Sequence, residues 1–178
     1  SRLPWPAWRC FSIGAVSKPM EPGVMRPFSD HTKSGVNSST DLTFLRHTLG
    51  AYEEVALYLK HMYAMRVGDV DGAFPLLPLR PTVWMFFLFH WYNVWLPDTD
   101  VTSPKMLHWH VCGDFGTSGM PGTWKVFFSD VMVGVARSEM IITLPMPVFV
   151  DDVAHIGPTI LQVDDEGVRF RVWLSALG

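Results

Sequence analysis

An α+β fold follows from three features of the sequence. Short β-prone apolar runs are bounded by Pro and Gly, two stretches carry apolar residues at helical spacing, and an Asp-Asp pair lies between two of the β-prone runs. The 178 residues suit one compact domain or a pair of lobes sharing a core. A chain of this size buries about 70% of the surface it exposes unfolded. Hydrophobic residues make up 48% and charged ones 17%, which excludes a disordered chain. Cys10 and Cys112 are too few for a disulfide framework and form no CxxC pair. A reducing, intracellular compartment, cytoplasm or nucleus, is expected.

The opening forty residues are rich in Pro, Gly and Ser. They read as short strands, Phe11–Val16 and Met25–Phe28, around the turn signal Glu21-Pro22-Gly23. From Asp41 the spacing turns helical through Leu42, Leu45, Leu49, Tyr52, Val55, Ala56 and Leu59, with Thr40 or Asp41 as N-cap and Gly50 as a break. Met65–Val70 reads as a strand, and prolines 75, 78 and 81 exclude a regular helix just beyond it. Val83–Trp95 and Met106–Val111 read as two strands joined by LPDTDVTSP. Pro121–Arg137 is helical in spacing through Trp124, Phe127, Phe128, Val131, Met132 and Val135, with Pro121 tolerated in a first turn. Ile141–Val150 and Val153–Ile156 read as strands flanking Asp151-Asp152, and the closing VRFRVWLSALG as a further helix. No internal repeat is present at a fixed period.

The longest apolar stretch, Val83–Leu96, contains His90 and Asn93 and falls short of the ~20 residues a membrane span needs. A buried strand is expected there, and no membrane partner. No secretory signal is read at the start, and a chain opening at Ser1 rather than Met reads as a fragment or a processed product. Charge is uneven: the first 66 residues carry an excess of Lys and Arg, the remainder a larger excess of Asp and Glu. A polyanion held by the first part and cations by the second would fit, as would ordinary variation of surface charge.

Two adjacent aspartates repel, which costs free energy unless a cation lies between them. A solvated turn is the other reading. Asp69 adds a carboxylate at the end of another strand. Three carboxylates so placed can hold two Mg²⁺ ions roughly 3.5–4 Å apart, the arrangement of polymerases and nucleases. The alternation His108-Trp109-His110 lacks a Cys or Glu partner in the pattern and reads as structural. The Trp and Phe excess falls mostly in apolar runs and reads as core rather than as base-stacking platforms.

Taken in order, the motifs resemble those of the reverse transcriptases of retroelements. VGDVDGAFPLLPL is similar to motif A, an Asp followed five residues later by an aromatic and then a Pro-Leu pair, here Asp69, Phe74 and Pro78-Leu79. FGTSGMPGTW is similar to motif B, and FVDD, Phe149–Asp152, to motif C. RPFSDHTKSGVN resembles the fingers segment with Arg26, Asp30 and Asn37, in a wording similar to DIRS-type elements. The spacings, 47 residues from Asp69 to Gly116 and 30 from Pro121 to Asp151, are also similar to the family's. The resemblance covers Lys18 to about Gly157.

That resemblance implies a right-hand polymerase palm, a ferredoxin-like antiparallel sheet with backing helices, plus fingers. Fingers would comprise about 1–50 and 80–114 and the palm about 51–79 and 115–178, ending before the thumb. Asp69, Asp151 and Asp152 would be the catalytic and metal-holding residues, with the Val70 backbone, around two Mg²⁺ ions or Mn²⁺ in their place. Backbone N–H groups from Val70 to Phe74 would face the triphosphate, with Gly72 and Ala73 leaving room and Phe74 excluding a ribose 2′-hydroxyl; the alternative for Phe74 is plain core. Gly116, Lys18 and Arg26 would complete the nucleotide site, although both cations read equally as solvated surface. Thr117, Ser118, Pro121, Phe149 and Val150 would lie against template and primer.

The implied partners are an RNA or DNA template with its primer, deoxynucleoside triphosphates, and the missing thumb and RNase H regions of a longer polyprotein. Phe149 stands where Tyr is commoner, and Asp71 is an additional acid. Ser118–Thr123 also fits a viral RNA-polymerase pattern, but Phe74 and Phe127 occupy the positions where those enzymes carry Asp and Asn. The competing class is a truncated or decayed, non-catalytic retroelement fragment that retains nucleic-acid binding.

Overall fold

A computed structural model describes residues 8–19, 21–43, 51–62, 64–91 and 106–177. The fold is α+β with small antiparallel sheets. Two compact units divide the chain, each discontinuous in sequence: Ser1–Phe44 with Phe74–Met120, and Leu45–Ala73 with Pro121–Gly178. Among the described residues no helix is long and apolar enough to cross a membrane.

In the first unit, β1 (Ser12–Ser17) and β2 (Met25–Asp30) form an antiparallel ribbon, from Ser12 opposite Asp30 to Ser17 opposite Met25. The turn expected at Glu21-Pro22-Gly23 lies between them, with Gly23 at φ 85, a value that favours glycine. A short helix, α1 (Val36–Ser39), follows. A second ribbon pairs β4 (Leu88–Trp91) with β5 (Met106–Trp109). The expected strand Val83–Trp95 is therefore corrected. Pro81–Phe86 is a 3₁₀ helix with Pro81 in its first turn, and the Trp84 indole donates to the Leu79 carbonyl at 2.9 Å. Residues 92–95 lie outside the described ones. The second strand of that pair stops at Trp109 because Val111 turns aside, accepting from the Leu79 amide at 2.8 Å. Phe11, Phe74, Leu77, Phe87 and Leu88 are buried in this unit.

The second unit holds α2 (Ala51–Leu59), β3 (Ala64–Asp69), β6 (Val148–Phe149) and β7 (Asp152–Gly157), the strands forming one sheet in the order β3-β7-β6. Of the helix expected from Asp41, the described residues 41–43 are not helical, and 44–50, with the break at Gly50, lie outside the described ones. The strand expected over Ile141–Val150 shrinks to Val148–Phe149. Proline explains the loss: the Pro145 and Pro147 carbonyls accept from Ile156 and Ala154, both at 3.0 Å, but neither Pro has an N–H to return. A long helix runs from α3 (Met120–Trp124) through a π-helical stretch, Lys125–Met132, into α4 (Val133–Ser138). It matches the helix expected over Pro121–Arg137.

The last helix, α5 (Ile160–Leu177), begins eight residues before the expected Val168. Its acidic start, Asp164-Asp165-Glu166, turns one carboxylate inward. Glu166 is wholly buried and its Oε2 accepts from the Thr143 amide at 2.6 Å, the Thr143 hydroxyl at 2.9 Å and the Leu144 amide at 2.9 Å. Its Oε1 lies 3.1 Å from Nδ1 of buried His155 on β7. Burial pushes the Glu166 pKa up, but these hydrogen bonds outweigh it and hold the carboxyl below its ordinary value. One buried anion thus ties β7, α5 and the strandless 143–144 segment together.

Candidate active site

β3 and β7 run antiparallel in a register that puts Asp69 directly opposite Asp152. Opposed residues in such a pair have Cα atoms about 4.5–5.5 Å apart and project on one face of the sheet. Two carboxylates facing each other at that distance repel, and both are solvent-exposed. Met65 and Val67 precede Asp69 on the same face, and both are exposed. Phe149 of β6 pairs with Asp152 from the other side. Its ring meets Tyr52 of α2 at 5.0 Å, and Tyr52, Val55, Met65, Val67, Phe149 and Asp152 line a cavity of about 180 Å³.

Phe149 and Asp152 are paired residues, so Val150 and Asp151 form a two-residue hairpin turn. Val150 has φ 55. A β-branched residue there is an outlier, with a cost of about 1–3 kcal/mol. The turn is bonded on both sides. The Val70 amide, one residue beyond β3, donates to the Asp151 carbonyl at 2.9 Å. The Trp124 indole donates to the Val150 carbonyl at 2.7 Å, and Trp124 is 1% exposed. The sequence gives Trp124 only as a helix-face apolar residue; an indole at a buried position, which needs an acceptor for its N–H, is the signal that could have singled it out.

Asp69, Asp151 and Asp152 are thus brought to adjacent strand ends in one unit. The expectation that the Val70 N–H faces a triphosphate is corrected, since that donor is committed to Asp151. Gly72 has φ 64 and open space where a Cβ would point. Ala73, by contrast, is 1% exposed. Pro121 is half-buried at the start of the long helix.

The remaining residues belong to the other unit. Phe74 opens a 3₁₀ turn, is 5% exposed, and packs its ring on Phe115 at 4.9 Å. The core role weighed for it is therefore present. Gly116 has φ 126, and a Cβ on it would overlap the Ser29 carbonyl oxygen. Asn37 clamps this loop with both ends of its amide, donating to the Gly116 carbonyl at 2.8 Å and accepting from the Ser118 amide at 2.9 Å. Thr117 is buried and donates to Asp114 at 2.6 Å, so its hydroxyl faces inward.

Asp114 also lies 2.7 Å from Nε2 of fully buried His31. Burial raises the Asp114 pKa, but hydrogen bonds from His31, Thr117 and Ser29 outweigh that and hold it below its ordinary value. Nearby His110 stacks on Phe11 and lies tilted against Phe89, and burial lowers its pKa against the opposing pull of Asp114. Lys18 is ion-paired with Glu21 across the β1–β2 turn, and Arg26 is exposed on β2.

Three carboxylates with no Cys or His among them are hard oxygen donors, and their chemistry fits Mg²⁺ or Mn²⁺. Among the described residues no group of three or more His, Cys, Asp and Glu side chains is gathered as a metal site. The hairpin supplies the carboxylates at neighbouring backbone positions. No protein-family model matches the chain, and no curated protein matches it.

Proposed function

We propose that this chain is the fingers and palm of a retroelement reverse transcriptase, an RNA-directed DNA polymerase that transfers deoxynucleotides to a primer 3′-hydroxyl. The observation that carries the reading is the pairing of Asp69 with Asp152 beside a strained Val150-Asp151 turn. A solvated turn needs neither a facing carboxylate on the next strand nor backbone strain; strain of this kind clusters at functional sites. In this reading Asp69, Asp151 and Asp152, with the Val70 backbone, hold two Mg²⁺ ions. Bound there, the ions supply acidification of the primer hydroxyl and neutralisation of charge at the transferred phosphorus.

The chain's own residues do the rest. The antiparallel register fixes the spacing of Asp69 and Asp152, and the hairpin fixes Asp151. The open face at Gly72 admits the triphosphate. Gly116, held by Asn37, lets the template–nucleotide pair approach the backbone. Lys18 and Arg26 meet backbone phosphates through sequence-independent electrostatics.

The test is extension of a primer on RNA and DNA templates with deoxynucleotides and Mg²⁺. Templated extension that Asp151→Asn abolishes is expected. Binding of the primer–template without extension would replace this reading with the non-catalytic one.

A further inference from the structure

The hairpin that presents Asp151 and Asp152 has little intrinsic reason to keep its shape. A two-residue turn with positive φ at its first central residue suits glycine, and here that residue is Val150 at φ 55. Left to itself, a Val-Asp turn relaxes to other backbone conformations, each of which moves the carboxylates. The Val70 bond to Asp151 holds it from β3. The Trp124 bond to Val150 holds it from the helix.

The indole is itself fixed. Trp124 is 1% exposed and stacks on Phe128 at 4.9 Å with the planes 9° apart. The helix widens into its π-helical stretch at Lys125, immediately after Trp124, a local geometry frequent at functional sites. A phenyl ring would fill much of the same space without offering a donor. We propose that Trp124 is a positioning residue, whose indole N–H pins the Val150 carbonyl and holds the strained turn in the conformation that sets Asp151 and Asp152 beside Asp69. The proposal deepens the polymerase reading and rests on it for its consequence in catalysis; the pinning itself can be measured without it.

The test is a double-mutant cycle of Trp124→Phe and Val150→Gly in the full chain. It is read by amide hydrogen exchange and, separately, by primer extension. The Val70 amide reports the turn because its acceptor is the Asp151 carbonyl. One net hydrogen bond corresponds to roughly a fivefold to tenfold change in local opening. Trp124→Phe should speed Val70 exchange by about that factor, with α5 amides unchanged. In the Val150→Gly background, where φ 55 carries no strain, the effect should fall below about twofold. In extension, kcat should fall with KM for the deoxynucleotide unchanged, and Val150→Gly should recover part of the loss.

Unchanged Val70 exchange in Trp124→Phe, or equal effects in the Val and Gly backgrounds, overturns the proposal. If Trp124→Phe unfolds the chain, judged by loss of α5 protection, Val150→Gly alone decides. Slower Val70 exchange supports the pinned strain, and an unchanged rate overturns it. A wild-type chain that extends no primer, with the exchange responses as expected, overturns the polymerase reading and supports Trp124 as the pin.

Discussion

Replacing Glu166 separates the charge of a buried anion from its hydrogen-bonding shape. Oε2 accepts three bonds, from the Thr143 amide, the Thr143 hydroxyl and the Leu144 amide, while Oε1 faces His155 alone. Glu166→Gln can keep its oxygen in the three-bond position and turn its NH₂ toward His155, whose ring can present an acceptor in the other tautomer. The expected cost is about 0.5–1.5 kcal/mol. Glu166→Leu leaves two backbone donors, a hydroxyl and an imidazole without their acceptor, and breaking such a buried pair costs about 3–5 kcal/mol.

The pH dependence has a definite sign. The folded-state pKa of Glu166 is depressed below 4.5, so its contribution is present above that value and lost as pH falls through the folded pKa. Urea unfolding at neutral pH and below 4.5 measures both effects, and Glu166→Gln should lose less on acidification than wild type. Equal losses for Gln and Leu at neutral pH, or a Leu variant as stable as wild type, would refute this account of α5.

Three other perturbations have defined outcomes. Gly116→Ala pairs a disfavoured φ with overlap of the Ser29 carbonyl, so where a compatible Gly-to-Ala change stabilises by about 0.4–1 kcal/mol, this one should destabilise and lower the melting temperature. Asp114→Asn removes the charge that His31 and Thr117 bond; urea unfolding at neutral pH should give a loss of about 1.5–3 kcal/mol. That loss should shrink as pH falls through the depressed Asp114 pKa, below 3.8. Phe74→Val should lower stability by about 1–3 kcal/mol, since the ring is buried. In a primer-extension assay it should also lower the preference for deoxy- over ribonucleotides. An unchanged ratio reduces Phe74 to packing.

Local periodicity made most elements legible. The β1–β2 ribbon, β3, the long helix and the Asp-Asp hairpin all lie where apolar spacing and turn residues put them. Misreadings arose where hydrogen bonds, not hydrophobicity, decide. Ile141–Pro147 is apolar enough for a strand, yet two prolines lack the donors a ladder needs and Glu166 captures the amides of Thr143 and Leu144. α5 starts at Ile160, ahead of the expected Val168, with Glu166 of its acidic stretch buried and bonded to Thr143, Leu144 and His155. Val83–Phe86 is β-prone in composition, but Pro81 fixes the φ of a 3₁₀ turn.

At the candidate site, residue types and order identified Asp69, Asp151 and Asp152. The register that opposes Asp69 to Asp152, the positive φ of Val150 and the indole of Trp124 depend on long-range pairing, which no local pattern encodes. The Asn37 clamp joins residues 79 and 81 positions apart, and only its motif made it a candidate.

The most direct measurement of the central claim is Mn²⁺ titration of the isotope-labelled chain, read by paramagnetic broadening of backbone amide signals. Bound at the carboxylates, the ion should broaden residues around Asp69 and the Phe149–Asp152 hairpin first, and leave α5 beyond Phe170 sharp. Asp151→Asn and Asp69→Asn should each abolish the effect at low Mn²⁺, and Mg²⁺ should compete it away. Broadening centred elsewhere, or unchanged in both variants, would contradict the account.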